Sequence, residues 1–215
     1  NALSKVKRLW DDFQASHQNS QIRFRLYLFD DASNDGSAEE LSRNFPGATI
    51  LFSKRRVEYC IALNQAAKVA ISDGVDHLFF CNADCYGFSP LFLDTLVGES
   101  QERGLSWVSP TVENPEGVNL TSLRRTHHFG VEFRVQTEAH LISSGIFQEL
   151  GGLNENLIRY GEDIELMSRF LALGLQAETS DGALLVHEES GLSSRQSFVR
   201  THFLVRNAFI MHSSF

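Results

Sequence analysis

The chain has 215 residues, 42% of them hydrophobic and 21% charged, with a formal net charge of −8; this is the composition of one globular domain and excludes a disordered or low-complexity polypeptide. The acidic balance argues against a basic surface for phosphate backbones, so no nucleic acid is expected as a partner. No apolar run approaches the ~20 residues of a transmembrane helix, and the odd set Cys60, Cys81 and Cys85 fits a reducing, cytoplasmic compartment.

Leu3, Val6, Trp10 and Phe13 recur at helical spacing and predict an amphipathic helix over the first 16 or so residues. Ile22, Phe24, Leu26 and Leu28 alternate with Arg23, Arg25 and Tyr27, a strand that runs to Asp30-Asp31. Turn residues follow, and Ser37-Ala-Glu-Glu40 reads as a capping box opening a helix that Pro46-Gly47 stops. Ala48–Phe52 is a short strand, and a helix runs from Val57 to about Ser72 with Ile61, Asn64, Lys68 and Ile71 on one side. His77–Cys81 reads as a buried strand, Pro90 starts a helix, Leu105–Val108 is another strand and Thr111–Asn119 a loop. Alternation at Phe129, Val131, Phe133 and Val135 favours a strand between Arg124 and Thr137. After the Gly151-Gly152 turn, Glu162–Leu173 is the clearest helix, stopped by Gly174. Ala183–Val186 is a late strand ending at His187, and helix is expected again around Ser197–Met211. Strand–helix alternation through about residue 100 predicts one α/β domain, 1–215, with a mostly parallel sheet flanked by helices.

Acidic residues close three of these apolar or turn segments: Asp30-Asp31, Asn82-Ala83-Asp84 and Glu162-Asp163. Carboxylates at strand ends and helix starts are where α/β enzymes hold ligands and metals. Each also has an ordinary reading, as an Asx-turn, a helix cap or a first-turn acid favoured by the helix dipole. An ionised Asp84 at the end of a buried strand needs a hydrogen bond, an ion pair or a cation, and a divalent cation shared with phosphate oxygens meets that need. His187 could supply a nitrogen to the same metal or be a hydrogen-bonded neighbour. On the Glu162 helix, Glu162 shares a side with Glu165 and Arg169, a solvated stripe with an i,i+4 pair, whereas Asp163 projects with Leu166, Met167 and Phe170 toward the interior and outranks Glu162 as a general base. Asn64 is either a satisfied core amide or a ligand contact beneath the cleft. Arg55 and Arg56 could offset phosphate charge, and Arg195 to Phe215 could form an acceptor flap, a membrane-facing element or a plain amphipathic helix.

Together these segments resemble the family 2 glycosyltransferases of the GT-A fold, particularly bacterial rhamnosyltransferase-like members. Phe29-Asp-Asp-Ala-Ser-Asn-Asp-Gly-Ser37 resembles the family's nucleotide-binding segment, Phe80-Cys-Asn-Ala-Asp84 its D-x-D-type metal motif with Asn82 in the first acidic position, and Phe147–Glu155 with Tyr160–Leu166 and Arg169 its acceptor and base segment. The resemblance implies that Asp30, Asp31, Ser33, Arg56, Asn64 and Asn82 bind the nucleotide. It implies further that Asp84 and His187 hold Mg²⁺ or Mn²⁺, and that Asp163, with Glu162 beside it, takes a proton from the acceptor. The implied activity is an inverting transfer from a nucleotide-sugar donor to a saccharide or lipid-linked acceptor, as in polysaccharide biosynthesis, in the cytoplasm with peripheral membrane contact. Two departures stand out: the family's opening central strand has no counterpart ahead of the first helix, and the Gly usual near Arg56–Glu58 is absent. The rivals are a nucleotidyltransferase on a related fold, which would want a Gly-rich basic first loop, and a non-catalytic GT-A-like fragment.

Overall fold

The computed structural model describes residues 2–123, 126–128, 131–133, 138–157 and 161–188. Its elements are, in order, α1 (Ala2–Ser16), β1 (Tyr27–Asp30), α2 (Ser37–Asn44), β2 (Thr49–Phe52), α3 (Tyr59–Ser72), β3 (His77–Cys81), β4 (Cys85–Tyr86) and α4 (Phe92–Arg103). There follow β5 (Trp107–Glu113), α5 (Leu120–Leu123), β6 (Thr126–His128), β7 (Val131–Phe133), β8 (Ala139–Ser143), α6 (Ser144–Glu149), α7 (Glu162–Ala172) and β9 (Ala177–His187). The expected helix at 197–211, the 195–215 tail and parts of the 124–137 strand lie outside the described residues.

α1 forms where the periodicity places it, and it packs both ways: Leu3 and Val6 against Leu41 and Phe45, Phe13 against Phe88 and Phe92. Its end is anchored by His17, whose Nε2 accepts the Leu93 N–H at 3.3 Å while Nδ1 contacts the Phe13 carbonyl at 2.7 Å. One imidazole nitrogen thus serves the first turn of α4, where backbone donors lack helical partners.

β1 is shorter than the alternation from Ile22 predicts. Its partner β2 has only four residues, in parallel register from Tyr27↔Thr49 to Asp30↔Phe52, and Phe24 instead packs edge-on against α1, with ring centroids 5.7 Å from Trp10 and 5.1 Å from Phe13. The larger sheet has the order β3-β8-β5-β9-β4. There β5 and β9 run parallel, β8 is antiparallel to both β3 and β5, and β4 is antiparallel to β9. The α/β class stands, but this sheet is mixed rather than mostly parallel. Parallel pairing requires a long crossover; β8 follows the β6–β7 hairpin and enters antiparallel.

Among the described residues β1 is hydrogen-bonded only to β2 and β3 only to β8, so no ladder joins the two sheets. The carbonyls of Leu26 and Asp30 accept the Thr49 and Ser53 N–H groups; by the period of two, Tyr27 and Phe29 turn their backbone groups to the opposite side. Both sheets still back onto α3, since Tyr27, Leu78 and Phe80 share one apolar cluster with Cys60, Ala67 and Ala70. The densest packing is around β5 and β9, where Trp107, Val108, Val112, Ala183 and Leu185 are fully buried.

Two local expectations fail for identifiable reasons. The capping box does not form: α2 starts from Gly36 in the left-handed region without a side-chain cap from Ser37 to the helix, because Asp35 accepts both the Ser37 N–H and its hydroxyl. The stripe carrying Glu165 and Arg169 is not solvated. Glu165 is 3% exposed and holds Arg169 through two bonds, of 2.8 and 2.6 Å, while the guanidinium also donates to the Leu150 and Gly152 carbonyls. The pair ties α7 to the turn after α6, and buried charges persist only when hydrogen-bonded in this way.

Candidate functional site

At the C-terminal end of β1, Asp30 is buried and its Oδ1 accepts the Ser33 N–H at 2.9 Å, an Asx-type turn that leaves Ser33 exposed. Asp31 reaches across to the segment after β2: Oδ1 accepts the Val57 N–H at 2.7 Å and the Ser53 hydroxyl at 3.1 Å, and Oδ2 accepts the Glu58 N–H at 3.1 Å. Lys54, Arg55 and Arg56 on that segment are exposed, and Arg56 pairs with Glu58 at 3.1 Å.

β3 ends in Cys81-Asn82-Ala83-Asp84 and turns into β4 through a Cys85 N–H to Asn82 carbonyl bond of 3.1 Å. β4 pairs with β9 so that Cys85 faces His187, and the Glu188 N–H bonds the Asp84 carbonyl at 3.0 Å. This register brings His187 Nε2 to 3.1 Å from Asp84 Oδ1. The two side chains are 103 positions apart in the sequence and meet because their strands are neighbours. Arg8 of α1 braces the same strand pair, its guanidinium 3.3 Å from the Tyr86 ring centroid and 3.5 Å from Glu188; nothing in the local sequence of α1 signals that contact.

The pair fits a hard divalent cation. Two ligands about 2.1 Å from such an ion and at right angles lie about 3.0 Å apart, close to the observed separation. His187 is buried, and its Nδ1 has no hydrogen-bond partner among the described residues, so the imidazole is not committed elsewhere. No group of three His, Cys, Asp or Glu side chains suited to a metal occurs among the described residues. Two protein ligands would leave the remaining positions to water and phosphate oxygens, as Mg²⁺ sites commonly do.

The start of α7 lies against the start of α3. The Cys60 thiol donates to the Leu157 carbonyl at 3.0 Å, and burial pushes its pKa up to about 12, with Glu162, Glu165, Glu155 and Asp163 acting in the same direction. Tyr59, exposed by 40% as a residue, has its hydroxyl in a crowded environment that raises its pKa above the usual value; burial leads, followed by Glu162, Asp163, Cys60 and Cys81. Sequence reasoning missed Tyr59, since an exposed aromatic at a helix start carries no periodic signal. Asp163 is half-buried, and its Oδ1 accepts the Ile164 N–H at 2.7 Å.

Asn64 is hydrogen-bonded to the turn after α6. Its Nδ2 donates to the Leu153 carbonyl and to Glu155, and its Oδ1 accepts the Leu153 N–H, at 2.9, 3.0 and 2.8 Å. A Cβ at Gly152 (φ +75°) would stand 2.6 Å from that Oδ1, so a glycine is needed there. A separate cavity of about 320 Å³, lined by Trp10, Phe24, Leu26 and Phe45, lies at the N-terminal end of β1, away from Asp30 and Asp31. It plays no part in this site.

An α/β domain with a paired carboxylate and imidazole at one sheet edge, and carboxylates in the first turn of α7, has the makings of a GT-A-like transferase. The sequence model of glycosyl transferase family 2 matches residues 1–158, and the chain belongs to that family. Among solved structures, the fold matches a mannosyltransferase from Pyrobaculum calidifontis, determined in complex with GDP-Man and Mn²⁺, with a TM-score of 0.69 and 16% identity over 88% of this chain and 54% of that one. It also matches GalNAc-T7 determined with UDP, GalNAc and Mn²⁺, with a TM-score of 0.56 and 17% identity over 76% of this chain and 37% of that one. The chain thus spans about half the length of the first of these proteins and less of the second. No curated protein matches the sequence. Among the described residues, no helix is long and apolar enough to cross a membrane.

Proposed function

We propose that this domain transfers a sugar, a hexosyl or rhamnosyl unit, from a nucleoside-diphosphate donor to a hydroxyl of a saccharide or lipid-linked acceptor, with inversion at the anomeric carbon. The observation that carries the reading is the 3.1 Å approach of His187 Nε2 to Asp84 Oδ1. Asp84 and His187 would hold Mg²⁺ or Mn²⁺, which supplies Lewis-acid stabilisation of the departing diphosphate. Asp30, Ser33 and Asn82, at the ends of β1 and β3, would line the nucleoside, and Arg56 would lie toward the phosphates.

Asp163 is assigned as the general base. As the acceptor oxygen bonds to the anomeric carbon, the bond from that carbon to the diphosphate oxygen breaks, and the acceptor proton passes to the Asp163 carboxylate. Glu162 stands next to it in the first turn of α7. Both known-structure neighbours carry Mn²⁺ and a nucleotide or nucleotide sugar in their own sites, in support of this donor class.

The test is a thermal-shift panel of GDP and UDP with and without Mn²⁺. Ligand that binds only the folded form stabilises it by about 2.7 kcal/mol at a hundred times Kd, so a Mn²⁺-dependent rise in Tm with either nucleotide is expected. The absence of any shift with both nucleotides at millimolar concentration would defeat the reading.

A further inference from the structure

Both oxygens of Asp31 are spent on the segment between β2 and α3, in the three bonds to Val57, Glu58 and Ser53. Bonds from backbone N–H groups to an ionised carboxylate are among the stronger hydrogen bonds in proteins. One of the residues so held is strained. Glu58 has φ 71° and ψ 166°, a combination that is essentially confined to glycine and persists elsewhere only when the surroundings over-determine it. Ala32, directly after Asp31, also has a positive φ, of 61°. The strained segment carries the exposed cations Lys54, Arg55 and Arg56 and leads into the first turn of α3.

We infer that Asp31 is a positioning residue: its carboxylate holds Glu58 in a conformation this side chain would otherwise leave, and so fixes the basic 53–58 segment at the donor end of the sheet. Its effect on nucleotide binding runs through that segment. This rests on the donor-site reading above. The segment's cations are then the groups that depend on Asp31, and diphosphate is the part of the ligand they suit.

The test uses the strain itself. In the presence of Mn²⁺, Asp31→Asn is expected to weaken GDP or UDP binding by about tenfold or more, the equivalent of losing roughly one strong hydrogen bond. Adding Glu58→Gly removes the Cβ that opposes the conformation, and the double variant should recover to within about threefold of wild type. Adding Glu58→Ala instead, which breaks the Arg56 ion pair but keeps the Cβ, should recover nothing. In the nucleotide-free protein, amide exchange at Val57 and at residue 58 should rise in Asp31→Asn and fall back only with Glu58→Gly. Equal recovery with glycine and alanine, or none with either, overturns the inference and makes Asp31 a direct ligand. If Asp31→Asn fails to fold, Ser53→Ala removes one of the three bonds and leaves the carboxylate; unchanged exchange at Val57 and Glu58 in that variant also overturns it. Failure of wild type to bind either nucleotide defeats the donor-site reading instead, while the exchange measurement still decides the clamp.

Discussion

Individual side chains in this domain divide by what their polar atoms are already doing. Asn64 has every amide function engaged by the 153–155 turn, whereas His187 keeps one buried nitrogen with no partner among the described residues. That contrast separates a structural amide from a ligand candidate better than residue type does. Replacing Gly152 by alanine should destabilise the protein by about 2–3 kcal/mol, since it adds strain at a positive φ and overpacks a fixed amide; denaturant unfolding checks this, and a loss below about 0.5 kcal/mol would show that Asn64 can yield. Asp163→Asn is expected to lower kcat by about 10²–10⁴-fold with nucleotide affinity nearly unchanged, read by steady-state transfer alongside nucleotide titration. Asp84→Ala and His187→Ala should each abolish the Mn²⁺ dependence of nucleotide binding, and an unaltered metal titration in both would remove them from the site.

Elements are held together by a few polar links laid over the apolar core. Glu165 and Arg169 illustrate why a helical wheel misleads near a turn. The i,i+4 pair was legible, but the face it occupies is covered by the chain between α6 and α7, whose carbonyls need donors. Arg169→Met should therefore cost about 3–5 kcal/mol by leaving Glu165 buried and uncompensated, measured as a shift in the denaturant midpoint. The α7 helix itself was readable from Glu162 to Gly174 because its apolar spacing and its glycine stop agree. The length of β1 was not: alternation continues back to Ile22, yet a strand extends only as far as its partner offers a ladder, and β2 supplies four residues. The capping box at Ser37 was lost to a nearer competitor, Asp35, whose carboxyl is lowered in pKa by the hydrogen bonds from Ser37.

Across the whole molecule, stability is distributed unevenly. β5 is buried along almost its whole length, while β1 and β2 are mostly half-buried and pair only with each other among the described residues. Native-state amide exchange should accordingly show β1 and β2 opening at lower free energy than β5, β8 and β9; uniform protection across both sheets would contradict this. Stability should also decline on the alkaline side. Cys60 is raised from 9.0 to about 12 in the folded protein, so from about pH 9 the unfolded chain releases this proton while the folded one retains it, and unfolding becomes easier as pH rises through that window. Replacing Cys60 by Ala should flatten this part of the stability–pH curve.

By itself the sequence determined the α/β class, most of the helices and the acidic segments at their ends, because propensity, periodicity and turn chemistry are local and each segment carries its own signal. It also carried the resemblance to family 2 glycosyltransferases. Only the tertiary structure decided that β8 and β4 run antiparallel, that Asp84 meets His187, and that Asn64, Asp31 and the Glu165–Arg169 pair are committed to neighbouring loops. Those outcomes depend on which strands become neighbours and which backbone groups are left needing partners. Such pairings link residues as far apart as 84 and 187, and no local pattern encodes them.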